Sequence, residues 1–147
     1  MEIPAAATRR LLESAPLGRL ATLGPDGAPV AVPIVYVLIG DELWSPVDGK
    51  PKSGRVLARV RNVRRDPRVC VLIDEYTADW RQLWWIRIDG KARVERPEAD
   101  SPALSTLRRK YPQYATTPVL DESATLLVVR IANVNTWCAT ASAWSDA

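Results

Sequence analysis

Apolar runs separated by turn residues predict β-strands in the first third of the chain. A short amphipathic helix over residues 4–15 precedes them and ends at Pro16. Residues 17–23 predict a strand, and the Gly-Pro-Asp-Gly sequence at residues 24–27 predicts a tight turn. Residues 28–39 are rich in β-branched side chains and predict one long second strand, so that the two strands form a hairpin.

The rest of the chain continues this pattern with more strands and two helices. The further strands are predicted over residues 42–47, 68–76, 83–94 and 125–137, and the helices from Arg55 onward and over residues 101–111. The tail after residue 137 is small and polar, and we expect it to fray. Six strands with mostly hairpin-length links favour antiparallel pairing. We therefore predict one mainly β domain over residues 1–147, a six-stranded antiparallel split β-barrel with flanking helices.

The composition excludes several classes of enzyme. The 147 residues include no histidine, which excludes Ser-His-Asp and Cys-His catalytic sites and His-ligated metals. Two cysteines, Cys70 and Cys138, are too few for a zinc ribbon or a disulfide framework, so no metal site is predicted. Charged residues in the first 15 positions exclude a signal-peptide core, and no apolar run is long enough to span a bilayer. We expect a cytoplasmic protein with reduced thiols and no membrane partner.

Positive charge is concentrated in one segment, residues 50–68, although the whole chain carries only +3 at pH 7. The adjoining loop 45–55 combines Ser45, Lys50, Lys52 and Arg55 with two glycines. Such a loop suits a phosphate group, because cationic side chains and accessible backbone amides both bind anions. A solvated basic loop is the alternative interpretation. The P-loop order of glycine, lysine and serine or threonine is absent.

A second cluster of interest is aromatic. Tyr76, Trp80, Trp84 and Trp85 fall within ten residues. In the strand 83–94 the even positions are apolar, so Trp84 is expected in the core, whereas Trp85 shares the opposite face with Arg87. A flat wall beside a cation suits a planar, electron-rich ligand. An oligomer interface is the alternative, and both hold if the ligand lies at the interface.

The acidic residues give no catalytic pair, and catalytic residues are not assigned. The aspartates near the predicted strands lack a paired-carboxylate spacing and are mostly expected in turns or at the surface; they are Asp48, Asp74, Asp79 and Asp89. A chain so poor in acid–base groups, if it is an enzyme, takes its chemistry from a cofactor.

Several motifs in a fixed order point to a known family. In chain order they are the hairpin turn at 21–27, Val32-Pro33-Ile34, the lysine-containing loop, residues 61–69 and residues 84–92. This order resembles the pyridoxamine 5′-phosphate oxidase-like split β-barrel superfamily. Lys50 and Lys52, residues 74–76 and 79–80, and Leu83-Trp84-Trp85 are similar to its actinobacterial branch, which uses the deazaflavin coenzyme F420.

The resemblance implies a homodimer with two cofactor sites along the subunit interface. The residues that it gives to the cofactor phosphate are Ser45, Lys50 and Lys52, with Arg55 or Arg59 as further candidates. The residues that it gives to the ring system are Val32, Pro33 and Ile34. Trp85 takes the position of a glutamine that reaches the ring in the flavin oxidases, and Arg87 shares its face.

The implied activity is hydride transfer from reduced F420 to a small organic substrate. Trp85 in place of glutamine, and a C-terminal segment 139–147 without arginine or histidine, argue against pyridoxamine phosphate oxidase activity itself. The alternatives are an FMN-dependent oxidase or flavin reductase of the same fold, or a non-catalytic flavin- or deazaflavin-binding protein. Nucleic acid is not expected as a partner, because the basic helix has an apolar docking face and lacks aromatic residues for base stacking.

Overall fold

The computed structural model describes residues 1–50 and 57–145. Seven strands form one sheet; they are β1 (Gly18–Leu23), β2 (Pro29–Ile34), β3 (Val37–Ile39), β4 (Glu42–Pro46), β5 (Arg68–Glu75), β6 (Trp84–Glu95) and β7 (Leu126–Cys138). Their order is β2-β1-β5-β6-β7-β4-β3, and every described pair is antiparallel. The sequence-based prediction of a mainly antiparallel β fold with flanking helices is therefore confirmed.

The sheet has seven strands rather than six because the predicted strand 28–39 is broken in two. The break falls at Tyr36, which is fully buried. Its backbone N–H donates a hydrogen bond of 3.0 Å to the Tyr111 hydroxyl instead of to a neighbouring strand. Its own hydroxyl donates to the Leu12 carbonyl at 2.6 Å. Tyr36 thus fixes the point where the chain passes from β2 to β3.

The two strands that this link joins are the two edges of the sheet. Ile34 ends β2 and Val37 begins β3, and three residues of extended chain span at most about 11 Å. The sheet must therefore curl until its edges nearly meet, although it does not close by hydrogen bonds in the described residues. This geometry is a split barrel.

In the described parts of the chain, four helices flank the sheet. They are α1 (Ala5–Ser14), α2 (Ala58–Arg65), α3 (Pro102–Lys110) and α4 (Ser142–Ser145), and short 3₁₀ segments occur at Trp80–Gln82 and Pro112–Ala115. The expectation that the tail frays is wrong for residues 142–145, because Ala143 packs into the main core. Within the described part of the chain, no helix combines the length and apolar character that crossing a membrane requires.

Helix α2 is docked on the barrel by polar contacts and by two valines. Val60 and Val63 are buried in the main core. Asn62 is also buried, and its Nδ2 donates to the Thr22 hydroxyl at 3.0 Å. A buried amide paired in this way fixes both the rotation and the height of the helix. The helix therefore holds Arg59 in a defined position.

Strand β6 shows the alternation that its sequence predicts. Trp84, Ile86, Ile88 and Ala92 are buried, while the intervening positions are exposed or half-buried. A register shift against β7 falls at Asp89 and Gly90. A Cβ at Gly90 would lie 2.3 Å from the Arg130 carbonyl oxygen, so this close approach requires glycine.

Candidate functional site

A cavity of about 250 Å³ lies at the ends of β2 and β4, beside the first turn of α2. Pro33 and Ile34 reach it from β2, Ser45 from β4, and Lys50 and Arg59 from the segments that follow. Five of the ten residues predicted to bind a cofactor therefore line one cavity. The barrel brings them together because the end of β2 and the end of β4 lie near the seam between the sheet edges.

Two polar atoms in the cavity wall have no hydrogen-bond partner among the described residues. They are the Ser45 hydroxyl oxygen and the Arg59 Nε, and both atoms are buried. Buried polar groups in folded proteins are nearly always hydrogen-bonded, and an unpaired one costs about 1–3 kcal/mol. Two unpaired donors on residues that line one cavity are suited to a ligand with acceptor oxygens.

Arg59 supplies a fixed positive charge to this wall. Burial lowers the pKa of its guanidinium, while the nearby carboxylates of Asp48 and Asp121 raise it. A guanidinium stays protonated in proteins, so the charge persists at neutral pH. Partial burial also reduces screening by water, which strengthens its attraction for an anion.

Asp48 is a buried member of the same wall. Only 4% of its surface is exposed, so Asp48 is not one of the surface aspartates that the sequence predicts. Its Oδ1 accepts a bond of 3.1 Å from the Lys50 backbone N–H, and its Oδ2 accepts from the Lys50 ammonium and the Tyr114 hydroxyl. Burial raises the pKa of the Asp48 carboxyl, but these hydrogen bonds outweigh it, and the pKa is lowered overall. Asp48 is therefore ionised at neutral pH.

Backbone hydrogen bonds fix the loop that carries Asp48 and Lys50. Val47 N–H donates to the Thr125 carbonyl at 2.9 Å, and the Val47 carbonyl accepts from Asp121 N–H at 2.7 Å. Gly49 N–H donates to the Pro118 carbonyl at 2.9 Å. A Cβ at Gly49 would lie 2.7 Å from the Pro118 ring, so the approach of these segments requires glycine. The segment that precedes β7 thus fixes the loop that forms part of the cavity wall.

Two of the other predicted residues, Lys52 and Arg55, lie outside the described residues. Val32 does not line the cavity; it packs against the main core, opposite Leu20 of β1. Because successive side chains of a strand point to opposite faces, Val32 and Ile34 share the inner face of β2 and Pro33 takes the outer one.

Trp85 and Arg87 line a different cavity of about 390 Å³ on the outer face of the sheet. Its other lining residues are Leu72, Asp74 and Tyr76. The strand register nevertheless connects the two regions, since Pro33 pairs with Arg19, Arg19 with Leu72, and Leu72 with Arg87. Pro33 and Arg87 therefore share one row of the outer face, three strand spacings or about 14 Å apart.

Sequence reasoning did not find Tyr114 or place Asp48 in the site. Tyr114 is 66 residues from Asp48 and belongs to a short 3₁₀ segment without a distinctive pattern. One indication for Asp48 is present in the sequence, because an aspartate side chain commonly accepts a hydrogen bond from the backbone N–H two residues later. The burial of Asp48 depends on the packing of residues 111–125, which no local pattern shows.

The fold and this cavity define a split barrel with a cation-lined pocket at its seam. The chain belongs to the pyridoxamine 5′-phosphate oxidase family, whose model matches residues 5–138. A comparison with curated proteins finds no significant match.

Several solved structures share this fold. A conserved hypothetical protein from Mycobacterium tuberculosis is 26% identical, with 93% of this chain and 86% of that chain covered and a TM-score of 0.70. An F420 reductase is 20% identical, covers 90% and 98%, and has a TM-score of 0.65. An FAD-binding protein from Mesorhizobium loti is 21% identical, covers 92% and 95%, and has a TM-score of 0.63. The similarity to the F420 reductase and to the FAD-binding protein shows the fold alone.

Proposed function

We propose that this chain is an oxidoreductase that binds coenzyme F420, with the cofactor phosphate in the cavity at the seam. The observation that carries the proposal is the pair of unpaired buried donors, Ser45 Oγ and Arg59 Nε, in a wall that also contains Lys50. Family membership supports a flavin-type cofactor, and a structural neighbour described as an F420 reductase supports the deazaflavin.

The residues present fit a phosphate group. Phosphate oxygens are acceptors, which the Ser45 hydroxyl and the Arg59 guanidinium require, and Lys50 adds a positive charge. A volume of about 250 Å³ accommodates the phosphate and the first atoms of its chain but not a three-ring system. The ring system would therefore lie outside the cavity, along the outer face that starts at Pro33.

When bound, F420 supplies hydride chemistry that no side chain of this protein provides. The protein's own contribution is to bind and orient. Ser45 and Arg59 fix the phosphate, which restricts where the attached ring can lie. Pro33 presents a rigid, apolar surface without a backbone N–H. Solvent or a nearby hydroxyl can supply a proton to the substrate, so the reaction does not require a histidine.

A second copy of the chain is proposed to cover the ring. The outer face carries exposed apolar side chains, with Leu72 37%, Tyr76 66% and Trp80 76% exposed. Trp85 and Arg87 lie in the same region. Exposed aromatic residues and arginine are typical of interface cores. In this proposal Trp85 and Arg87 of one copy face the ring held by the other, and the site is complete only in the homodimer.

FMN or another flavin is the second candidate cofactor. The observation in its favour is the structural neighbour described as an FAD-binding protein. A flavin phosphate would use the same donors, and the activity would then be that of an oxidase or flavin reductase. A non-catalytic carrier of either cofactor has the same binding site without a substrate.

The decisive experiment is a fluorescence titration of cofactor-free protein with F420 and, in parallel, with FMN. Arg59→Met removes the buried guanidinium, and Arg64→Met removes an exposed one from the same helix. We expect micromolar binding of F420, weakened about tenfold or more by Arg59→Met and unchanged by Arg64→Met. Tight FMN binding without F420 binding would favour the second candidate. Absence of both, or equal effects of the two variants, would remove the proposal.

A further inference from the structure

We infer that the cavity at the seam selects a singly charged phosphodiester over a doubly charged phosphomonoester, and that Asp48 sets this preference. The inference rests on the proposed function, since it specifies the kind of phosphate that the same cavity holds. It arises from an unusual feature of the wall, namely a buried carboxylate beside the cations and donors of an anion site.

The carboxylate of Asp48 offers nothing to a phosphate. As an ion it only accepts hydrogen bonds, and a phosphate oxygen also only accepts them. Both of its oxygens already have donors, from the backbone and ammonium of Lys50 and from the hydroxyl of Tyr114. Its effect on a bound phosphate is therefore electrostatic repulsion.

The described lining residues carry a net charge that a single negative charge balances. Lys50 and Arg59 are the cations among them, and Asp48 is the anion. A phosphodiester carries one negative charge, whereas a phosphomonoester carries between about 1.5 and 2 at pH 7, with a second pKa near 6. A second ligand charge would lose its hydration without gaining a partner among these described residues, which is costly.

Hydrogen bonds hold the Asp48 carboxylate and its backbone in place, so the side chain cannot turn away from a bound ligand. The Tyr114 hydroxyl holds its Oδ2 at 2.7 Å. The backbone on each side is held by hydrogen bonds of Val47 to Thr125 and of Gly49 to Pro118, both at 2.9 Å. A carboxylate on a mobile surface loop could turn to solvent, but this one is only 4% exposed and held on three sides. The repulsion is therefore a permanent property of the cavity.

This arrangement separates the candidate cofactors by the chemistry of their phosphates. FMN ends in a phosphomonoester, whereas the phosphate of F420 is a diester that links the ring-bearing chain to the acidic tail. A phosphomonoester that holds its second proton carries one negative charge, and in this form it can enter a site that balances one charge. With a pKa near 6, that form is about one part in ten at pH 7 and one in a hundred at pH 8.

The test compares FMN with its methyl phosphodiester, which has the same ring and chain but one fixed charge. Their affinities are measured by flavin fluorescence at pH 7 and pH 8, directly and by displacement of F420. The proteins are wild type, Asp48→Asn and the control Asp100→Asn, which makes the same chemical change at an exposed acid. The wild-type comparison needs no variant, so it holds even if Asp48→Asn does not fold.

We expect the wild-type protein to bind the methyl ester about tenfold more tightly than FMN at pH 7, and about a hundredfold more tightly at pH 8. Asp48→Asn should reduce this preference to about onefold, and Asp100→Asn should keep it. Equal or tighter binding of FMN by the wild type overturns the inference, and so does a preference that Asp48→Asn leaves unchanged. Failure of both esters to bind or displace F420 also overturns it. If F420 itself does not bind, this result also contradicts the proposed function.

Discussion

The hydroxyl of Tyr114 donates a hydrogen bond of 2.7 Å to the buried carboxylate of Asp48, across 66 positions of the sequence. This bond links the segment between α3 and β7 to the loop that follows β4. It fixes an ionised carboxylate in the wall of a cavity that is also lined by Ser45, Lys50 and Arg59. The properties of the proposed cofactor site depend on this long-range contact.

Tyr114→Phe is expected to lower the free energy of unfolding by about 1–2 kcal/mol, because the buried Asp48 loses a donor. The folded-state pKa of Asp48 lies below its ordinary value of 3.8. The bond therefore contributes fully above about pH 4, and its contribution declines as the pH falls further. Urea denaturation in a series from pH 7 into the acid range measures this, with Tyr76→Phe, at an exposed tyrosine, as control. A loss that stays the same until the wild type unfolds in acid would contradict the assignment of the effect to Asp48.

Lys110→Met is expected to change how stability depends on pH in the alkaline range. The Lys110 ammonium lies 4.0 Å from the centre of the Tyr36 ring, and burial lowers its pKa from 10.5 to about 8. Between pH 8 and 10.5 the unfolded chain therefore binds more protons at this residue than the folded chain does. It follows that Lys110 makes wild-type stability rise with pH over this window. The melting temperature of the wild type relative to Lys110→Met should increase from pH 7.5 to pH 10; parallel curves would contradict this.

Gly49→Ala is expected to damage both the loop and the binding of phosphate. The added Cβ would lie 2.7 Å from the Pro118 ring, so one of the two segments must shift. We expect a loss of about 1–3 kcal/mol in stability and weaker F420 binding. Pro118→Ala makes room for the methyl group, so the double variant should lose less than the sum of the two single changes. Additive losses in denaturation experiments would indicate that the contact is not the cause.

Leu72→Lys is expected to separate the proposed homodimer without unfolding the chain. Leu72 is 37% exposed on the outer face and pairs in register with Arg87 and Arg19. An ammonium there would be buried beside two arginines in a dimer but solvated in a monomer. Light scattering should show a dimer for the wild type and a monomer with weaker F420 binding for the variant. Leu17→Lys, at a similarly exposed leucine, is the control. A monomeric wild type would contradict the proposed interface.

Local sequence patterns predicted most of the fold. The alternation of β6 gave its buried and exposed faces, and the Gly-Pro-Asp-Gly turn gave the β1–β2 hairpin. The break at Tyr36 was missed because its cause is the distant Tyr111 hydroxyl. The helix at residues 142–145 was missed because Ala143 is held by tertiary packing rather than by local preference.

The candidate site was predicted only where its chemistry is carried by residue type. Ser45, Lys50 and Arg59 stood out as possible phosphate ligands and line one cavity. Val32 packs against the main core and does not line this cavity, so its contact with the ring system stays a prediction. Tyr114 and the burial of Asp48 could not be predicted, because they depend on how the segment 111–125 folds back over the loop.

A crystal structure of the protein with F420 bound tests the central proposal most directly. We predict that phosphate oxygens lie within about 3.2 Å of both Ser45 Oγ and Arg59 Nε, the two donors that lack partners in the described chain. The ring should extend along the outer face past Pro33, toward Trp85 and Arg87 of a second copy. A phosphate bound elsewhere, with Ser45 and Arg59 still unpaired, would contradict the proposed site.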